Sequence, residues 1–283
     1  MNGAGVQKTA FRAMSVQVEI TGVGAPDGAV AAAGRFAADL AADWEAHFSR
    51  FRPDSMLCRL NAADGSPVAV DDLFLDLVGR AAAAVARTGG RFDPAILPAL
   101  EAAGYDESWS RIDPERDRRA APAVPSPGPA AWRAIRRDRW RGTVALPPGM
   151  RLDVGGIGKG MFVDLLAHCI RSWPGGCIDA GGDLFVWGAS PDGDGWAIGI
   201  EDPAAPDHDL LVARVPAGAT LGVATSGGYR RRWRAGGAPA HHLIDPATGQ
   251  PLPASGPCAA TAFAATVTDA EIATKALLVA AAN

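Results

Sequence analysis

The first part of the chain shows one alternating segment followed by two segments with helical spacing. Residues 10–22 alternate between apolar and polar side chains, which predicts a strand with Met14 inside it. Alanine-rich amphipathic segments predict helices over 28–48 and 70–88, and the second ends at a glycine pair. The pattern therefore predicts a strand and then two long helices.

The pattern changes in the second part of the chain, where short alternating segments dominate. Residues 132–146 predict a hairpin, and after Gly188 the segments 196–203 and 210–216 predict strands bounded by Pro, Gly and Asp. The end of the chain predicts a strand to about Thr266 and then a helix that is capped near Thr268 or Asp269. Between the two parts, residues 107–130 are rich in proline and charge, which indicates a surface insertion or a mobile loop.

A glycine-rich stretch, 151–188, lies at the centre of the chain. A short apolar run ends at Asp153 and is followed by a turn that holds Lys159 and the glycines Gly155, Gly156, Gly158 and Gly160. Apolar side chains at helical spacing then predict a helix over 161–173; they are Phe162, Leu165, Leu166, Cys169 and Ile170. A glycine-rich turn before a helix offers backbone N–H groups to an anion, and a lysine adds a positive charge.

Two interpretations of this turn remain open. It holds a phosphate group, or it is a plain strand-to-helix turn that holds nothing. Lysine is rare here, since Lys8, Lys159 and Lys275 are the only lysines among 27 basic residues, and this favours the phosphate. The better-known phosphate motifs, GxxxxGK[ST] and GxGxxG in register, are absent.

The composition is typical of a globular protein and argues against binding to nucleic acids or to membrane surfaces. The 283 residues are 48% hydrophobic and carry a net charge of −4, whereas nucleic-acid and membrane-surface proteins usually have a basic excess. No apolar run approaches the ~20 residues of a membrane span, and the N-terminal residues lack the apolar core of a signal peptide. We therefore expect a cytoplasmic protein. The four cysteines lie far apart, which disfavours a metal cluster or a disulfide framework.

Polar residues at the predicted loop ends suggest phosphoryl transfer. They are Asp153, Lys159, Asp183, Ser226, His242, Asp245, Asp269 and Thr274. A hydrolase triad of Ser226, His242 and an aspartate has no GxSxG motif to support it. Carboxylates near a glycine turn suit Mg²⁺-assisted phosphoryl transfer better, because Mg²⁺ takes one or two carboxylates and leaves room for substrate phosphates.

At this point the sequence resembles the FAD:protein FMN transferases, or ApbE-type flavin transferases, over residues 14–279. The resemblance rests on seven motifs in order: FRPDSMLCRLN, GGRFDPAILPALEAAGYD, LDVGGIGKGMFVD, IDAGGDLFVWG, ATSGGYRRRW, HHLIDPATGQP and TDAEIATKALLV. It implies an α/β (α+β) fold, with residues 1–283 as a single two-lobed domain. Mixed or antiparallel sheets would be flanked by helices around a central flavin cleft.

The resemblance also implies an activity and a set of site residues. Such enzymes bind FAD and Mg²⁺ and transfer FMN to a Thr or Ser hydroxyl of an acceptor flavoprotein, with release of AMP. The cofactor-binding residues would be Met14, Phe51, Ala103, Gly104, Tyr105, Asp153, Lys159 and Leu243, the last through its backbone. His242 or Asp245 would assist deprotonation of the acceptor hydroxyl. The metal would be held by the Gly156 carbonyl, Asp269 and Thr274.

The metal motif departs from the family pattern. The family has an aspartate four residues before the metal-binding threonine, but this chain has Ala270 there. Asp269 is five residues before Thr274 and Glu271 is three before it, so either is a candidate substitute, and Asp269 is alternatively only a helix cap. Three hypotheses follow: a Mg²⁺-dependent flavin transferase, an impaired FAD-binding carrier, and an FAD pyrophosphatase giving FMN and AMP.

Overall fold

The computed structural model describes residues 5–253 and 258–283. Within them the helices are α1 (Ala29–Phe48), α2 (Met56–Ala62), α3 (Asp72–Arg87), α4 (Leu97–Ala102), α5 (Gly128–Trp132), α6 (Gly158–Ile170) and α7 (Val267–Ala282). Within the same ranges no helix is both long and apolar enough to cross a membrane.

Fourteen strands are assigned within the described ranges. They are β1 (Val6–Ala13), β2 (Val16–Val23), β3 (Val68–Ala69), β4 (Asp117–Arg118), β5 (Arg136–Asp138), β6 (Thr143–Ala145), β7 (Gly175–Ala180), β8 (Leu184–Gly188), β9 (Trp196–Asp202), β10 (Ala205–Val215), β11 (Thr220–Gly227), β12 (Arg232–Ala235), β13 (Ala238–His241) and β14 (Ala259–Ala264). The mixture of helices and mainly antiparallel strands confirms the predicted α/β class.

The chain divides into two compact units, each built from three chain segments. The first unit comprises the described residues of Met1–Asp43, with Lys159–Ser226 and Thr261–Thr274. The second unit comprises Trp44–Gly158, the described residues of Gly227–Ala260, and Lys275–Asn283.

The first unit is centred on a six-stranded sheet in the order β1-β2-β7-β8-β11-β14, and its last two strands extend into residues of the second unit. β2 is antiparallel to β7, and the buried side chains of Val18, Ile20 and Ile178 lie on these two strands. The starts of α6 and α7 pack closely, since a Cβ at Gly160 would lie 2.8 Å from the backbone nitrogen of Thr268. Glycine at this position thus lets two helix N-termini meet.

The second unit contains two three-stranded sheets, β13-β12-β4 and β3-β6-β5, together with α2 to α5. Its aromatic core is formed where β12 meets the segment that follows α4. Trp233 is 2% exposed, and its ring centroid lies 5.2 Å from that of Tyr105 and 6.5 Å from that of Trp109. This cluster gives the predicted cofactor-binding segment around Tyr105 a buried support.

The predicted helices over 28–48 and 70–88 are confirmed within two residues at each end. The hairpin predicted over 132–146 is confirmed as β5 and β6, although it begins only at Arg136. The prediction of one strand over 10–22 is wrong. Met14 and Ser15 have φ of 50° and 62° and form the turn between β1 and β2. Neither residue is a glycine, so the alternation runs through the turn without a visible break. Cys169, expected among the apolar residues of the central helix, is exposed.

Two predicted helix starts are also wrong. Helix α6 begins at Gly158 and not at 161, so Lys159 lies in its first turn. Helix α7 begins at Val267, and Thr266 caps it: the Asp269 backbone N–H donates to Thr266 Oγ1 at 3.0 Å, while Thr266 Oγ1 donates to Asp269 Oδ2 at 2.9 Å. Asp269 is therefore the third helical residue, bonded to the cap residue Thr266, and is not the cap itself.

Residues 107–130, expected as a mobile insertion, include β4 and the start of α5. β4 pairs in parallel with β12, and the Ser126 backbone N–H donates to the Pro246 carbonyl at 2.8 Å. These contacts attach the segment to the second unit, and its mobility stays a prediction.

Candidate functional site

The glycine turn of the second unit is held by an ion pair between Arg50 and Asp153. The Arg50 Nε lies 2.6 Å from Asp153 Oδ2, and the side chains are 7% and 13% exposed. Asp153 Oδ1 accepts from the Gly155 backbone N–H at 2.7 Å, and the Asp153 backbone N–H donates to the Pro94 carbonyl at 2.8 Å. Both the side chain and the backbone N–H of Asp153 are therefore held by contacts within the protein.

The backbone amides of this turn are largely used by the protein itself. The Gly155 N–H donates to Asp153, and the Ile157 and Gly158 N–H groups donate to the Val154 carbonyl at 3.1 and 2.8 Å. The expectation that the glycine amides converge on a phosphate therefore does not hold for Gly155 and Gly158.

Phe51 and Tyr105 form an aromatic surface around the Arg50 guanidinium. The Arg50 Cζ lies 4.1 Å from the centroid of the Phe51 ring and 4.5 Å from that of Tyr105, and the two centroids are 5.9 Å apart. Phe51 is 39% exposed, whereas Tyr105 is 8% exposed. Burial raises the pKa of Tyr105, although Arg231, which hydrogen-bonds to it, acts in the opposite direction. An accessible ring beside a fixed cation suits a planar ligand.

The segment Ala103–Tyr105 is held by its backbone. Its three carbonyl oxygens accept, in chain order, from Trp233 Nε1 at 2.8 Å, from Arg118 Nε at 2.6 Å and from Arg50 Nη2 at 2.8 Å. Gly104 has φ of +84°, which a side chain would disfavour. This predicted cofactor-binding segment is therefore fixed beside Phe51.

Asp93 is a buried carboxylate that sequence reasoning did not assign to the site. It is 3% exposed and accepts from Trp132 Nε1 at 2.7 Å, from the Ala95 N–H at 2.8 Å and from the Ser126 hydroxyl. Burial raises the pKa of Asp93, while these hydrogen bonds lower it. Asp93 thereby links the FDPAIL motif to the segment expected as an insertion.

The predicted catalytic residues His242 and Asp245 lie in the loop after β13. Both Asp245 carboxylate oxygens are used within that loop, Oδ1 by the Ala247 N–H at 3.0 Å and Oδ2 by the Thr248 hydroxyl at 3.2 Å. His242 is half-buried, and its neighbour His241 has its pKa lowered, mainly by burial and then by the charge of Arg232.

Leu243, the third predicted residue of this loop, is 7% exposed and packs in a cluster with Leu252, Leu278 and Val279. Its backbone N–H donates to the Nδ1 atom of His241 at 3.3 Å, and its carbonyl accepts from the Leu252 N–H at 2.9 Å. Packing and hydrogen bonds thus fix the loop around the predicted catalytic pair.

In the first unit, Lys159 is surrounded by two buried carboxylates. Its Nζ atom pairs with Asp183 Oδ2 and lies 3.8 Å from Glu271 Oε1, and the two carboxylate side chains are 2% and 1% exposed. Glu271 Oε2 also accepts from the Gly160 backbone N–H at 2.8 Å. The Gly160 amide at the start of α6 therefore already has the Glu271 carboxylate as its acceptor, whereas the sequence predicted an external anion there.

The start of α7 is held by Asp164 of α6, which the sequence did not single out. Asp164 accepts from the Val267 N–H at 2.8 Å, from the Thr268 N–H at 2.9 Å and from the Thr268 hydroxyl. Burial raises the pKa of Asp164, and these hydrogen bonds lower it. A carboxylate at a helix N-terminus satisfies amides that have no partner within the helix.

Thr274, a predicted metal ligand, is fully buried. Its hydroxyl donates to the Glu271 carbonyl at 2.8 Å and lies 2.7 Å from Ser226 Oγ. The predicted site residues of the first unit are thus Met14 in the β1–β2 turn, Lys159 at the start of α6, and Asp269 and Thr274 on α7.

These donors do not fit the metal site that the resemblance implies. Mg²⁺ binds oxygen ligands in a near-octahedral arrangement, usually with one or two carboxylates. Ala270, four residues before Thr274, has no oxygen ligand in its side chain. The Asp269 carboxylate accepts from the Thr266 hydroxyl, and Glu271 accepts from the Gly160 N–H beside Lys159. Across residues 5–253 and 258–283, no group of three His, Cys, Asp or Glu side chains is arranged to hold a metal ion.

Sequence reasoning missed Arg50, Asp93 and Asp164 as site residues. The signal for Arg50 was present in the basic-aromatic run beside Phe51, but the run does not reveal that its partner is Asp153, a hundred residues later. Asp93 and Asp164 carried a weaker signal, a single carboxylate within an apolar segment.

Comparison with known proteins agrees with the sequence motifs. A FAD:protein FMN transferase of Treponema pallidum is 33% identical over 231 residues, which cover 71% of this chain and 58% of that protein. One from Klebsiella pneumoniae is 27% identical over 207 residues, covering 72% and 59%. The chain thus spans about three-fifths of the length of these curated relatives.

Solved structures show the same fold. The ApbE protein of Thermotoga maritima has a TM-score of 0.82 at 24% identity, with 99% of this chain and 88% of that chain covered. The apo flavinyl transferase ApbE of Pseudomonas stutzeri has a TM-score of 0.77 at 25% identity, with 98% and 85% covered. The sequence profile of the ApbE family matches residues 14–283. The chain belongs to the ApbE family.

Proposed function

We propose that this protein is an FAD:protein FMN transferase that moves FMN from FAD to a Thr or Ser hydroxyl of an acceptor protein. The hydroxyl oxygen attacks the phosphorus on the FMN side of the diphosphate and forms a P–O bond. The P–O bond of the bridging oxygen breaks, AMP leaves with that oxygen, and the hydroxyl proton passes to a base. No atom is oxidised or reduced in this exchange.

The observation that carries the proposal is the fixed turn of the second unit and its aromatic surface. Arg50 joins the two, because its guanidinium pairs with Asp153 on one side and lies against Phe51 and Tyr105 on the other. A rigid site of this kind holds a planar ring with little loss of conformational entropy on binding. Family membership supports flavin as that ring.

These positions support the proposed cofactor-binding roles. Phe51 and the segment Ala103–Tyr105 contact a ring of FAD. Both oxygens of Asp153 are used by Arg50 and the Gly155 N–H, which supports a role in positioning Arg50 beside that ring, and its direct contact with FAD is proposed on the resemblance. Met14, Lys159 and the Leu243 backbone are proposed on the resemblance alone.

For the hydroxyl proton we favour His242 over Asp245. Both oxygens of Asp245 accept hydrogen bonds within its own loop, which supports a role in holding the loop that carries His242. An imidazole is a suitable base near neutral pH. Replacement of His242 by Asn should slow transfer and leave FAD affinity unchanged, and His208→Asn, on strand β10, is the matched control.

Magnesium dependence, which the resemblance implies, has weaker support. The donors on α7 do not match a Mg²⁺ site, so no step of the proposed reaction passes through a metal. The cytoplasmic location and the identity of the acceptor protein also stay predictions.

The test is an incubation of the protein with FAD and a purified acceptor domain, with and without Mg²⁺. We expect the acceptor to become fluorescent on a denaturing gel with release of one AMP per FMN, and an acceptor with Thr→Val at the modified position to stay dark. Free FMN with AMP would instead identify an FAD pyrophosphatase. Tight FAD binding with neither product would identify a carrier that has lost transferase activity.

A further inference from the structure

The hairpin of β5 and β6 in the second unit carries a fully exposed tryptophan in its turn. Trp140 is 97% exposed and lies in the turn 139–142, which joins the two strands. The other exposed large hydrophobic side chains in the described part of the chain are 39–63% exposed. Packing within the chain therefore does not account for the tryptophan at this position.

Contacts within the second unit hold the backbone of this turn. The Asp138 Oδ1 atom accepts from the Arg141 backbone N–H at 2.9 Å and closes the turn. The Gly142 carbonyl accepts from the Val70 N–H at 2.8 Å, which ties the turn to the residue after β3. Because the backbone is already fixed, binding through Trp140 would cost little conformational entropy.

Exposed arginines surround Trp140. The segment 133–141 contains five arginines and one aspartate, whereas the whole chain has a net charge of −4. All five are exposed; they are Arg133, Arg136, Arg137, Arg139 and Arg141. The Arg139 Nη2 atom lies 4.0 Å from Asp76 Oδ1, and its side chain is 64% exposed. The Arg141 Nε atom lies 3.8 Å from Asp138 Oδ2, and its side chain is 79% exposed. Such exposed ion pairs are weak, so both guanidinium groups can bind a partner.

A tryptophan between exposed arginines matches the chemistry of an anionic membrane surface. Tryptophan is enriched at membrane–water interfaces because its ring is apolar and its N–H is polar, and arginine binds phosphate through several N–H donors. The net charge of the whole chain argues against such binding, but it averages over this basic hairpin. A stable protein interface buries about 800 Å² on each side around an apolar core, and a single projecting ring does not supply such a core.

We propose that the turn 139–142 attaches this protein peripherally to anionic phospholipid membranes. Trp140 inserts among the lipid headgroups, while Arg139 and Arg141 bind the lipid phosphates. Attachment of this kind needs no membrane-spanning helix and does not depend on the flavin site. It weakens as salt is added, because salt screens the attraction between exposed charges.

The experiment measures sedimentation of the protein with phosphatidylcholine vesicles, either pure or with phosphatidylglycerol as about one lipid in four. We expect the wild type to sediment only with the anionic vesicles and to be released at high salt. Replacing both Arg139 and Arg141 by Gln should weaken binding by roughly fivefold for each arginine. Trp140→Ser should weaken binding by roughly tenfold, because the apolar ring is no longer removed from water.

The matched control is the double replacement Arg116→Gln and Arg119→Gln. It removes the same charge from exposed positions of the second unit and should bind the anionic vesicles nearly as the wild type does. Lipids brominated on the acyl chain should quench the tryptophan fluorescence of the wild type more than that of Trp140→Phe, which keeps a ring in the turn. Urea unfolding should be unchanged in all variants, because every substituted side chain is exposed.

Four outcomes contradict the inference. The wild type does not sediment with the anionic vesicles, or Trp140→Ser binds them as tightly as the wild type. The control and the arginine variant lose binding equally, which would show attraction by overall charge and not by the turn. The turn variants lose binding to polyglutamate while no protein binds vesicles, which would assign the turn to an acidic protein surface.

Discussion

Replacement of Lys159 by methionine tests whether the charge cluster at the start of α6 is needed for stability. The substitution keeps the length of the side chain but removes the ammonium group between Asp183 and Glu271. Both carboxylate side chains are at most 2% exposed, whereas that of Lys159 is 24% exposed. The variant would hold two buried carboxylates without the lysine that pairs with them.

The size of the effect follows from this burial. Removal of one partner from a buried ion pair costs about 3–5 kcal/mol. Because the lysine is partly solvated, we expect the lower end, roughly 3 kcal/mol of the free energy of unfolding. For a chain of this size that corresponds to a fall in Tm of about 5 °C.

Urea unfolding at pH 8, with calorimetry for Tm, measures these quantities. Lys8→Met is the matched control, because the Lys8–Glu19 pair is exposed on both sides and contributes at most about 1 kcal/mol. The reasoning is refuted if Lys159→Met and Lys8→Met are equally stable at pH 8.

Three further predictions concern buried polar groups. Trp132→Phe removes a hydrogen bond to buried Asp93 and should lower the free energy of unfolding by about 1–3 kcal/mol in urea titrations. The control is Trp140→Phe, at a position that is 97% exposed, which should change the free energy of unfolding by less than about 0.5 kcal/mol. Burial raises the pKa of Asp93 in the folded protein above its value in the unfolded chain, so protonated Asp93 stabilises the fold at low pH, and this stabilisation is lost as the pH rises through the folded-state pKa. In urea titrations between pH 4 and 7, Asp93→Asn should therefore abolish the part of the fall in unfolding free energy that is due to this group. Burial raises the pKa of Cys177 to about 12, so iodoacetamide at pH 8 should label exposed Cys169 and leave Cys177 unlabelled by mass spectrometry of the native protein.

The sequence by itself determined the helices α1 and α3, the β-rich second part and the order of the family motifs. Hydrophobic spacing has a period that differs between helix and strand, so these elements are visible without tertiary contacts. It did not reveal the turn at Met14 and Ser15, since both adopt positive φ without being glycine.

Only the tertiary structure decided which charges meet. The partners Arg50 and Asp153 are far apart in sequence, as are Lys159 and Glu271, and local spacing carries no information about such pairs. The same holds for Lys275, whose place over Gly156 depends on how the end of α7 packs within the second unit. The family motifs can be read from the sequence because each is a short run of neighbouring residues. The electrostatics of the site cannot be read in this way, because they depend on burial and on long-range contacts that arise only when the chain folds.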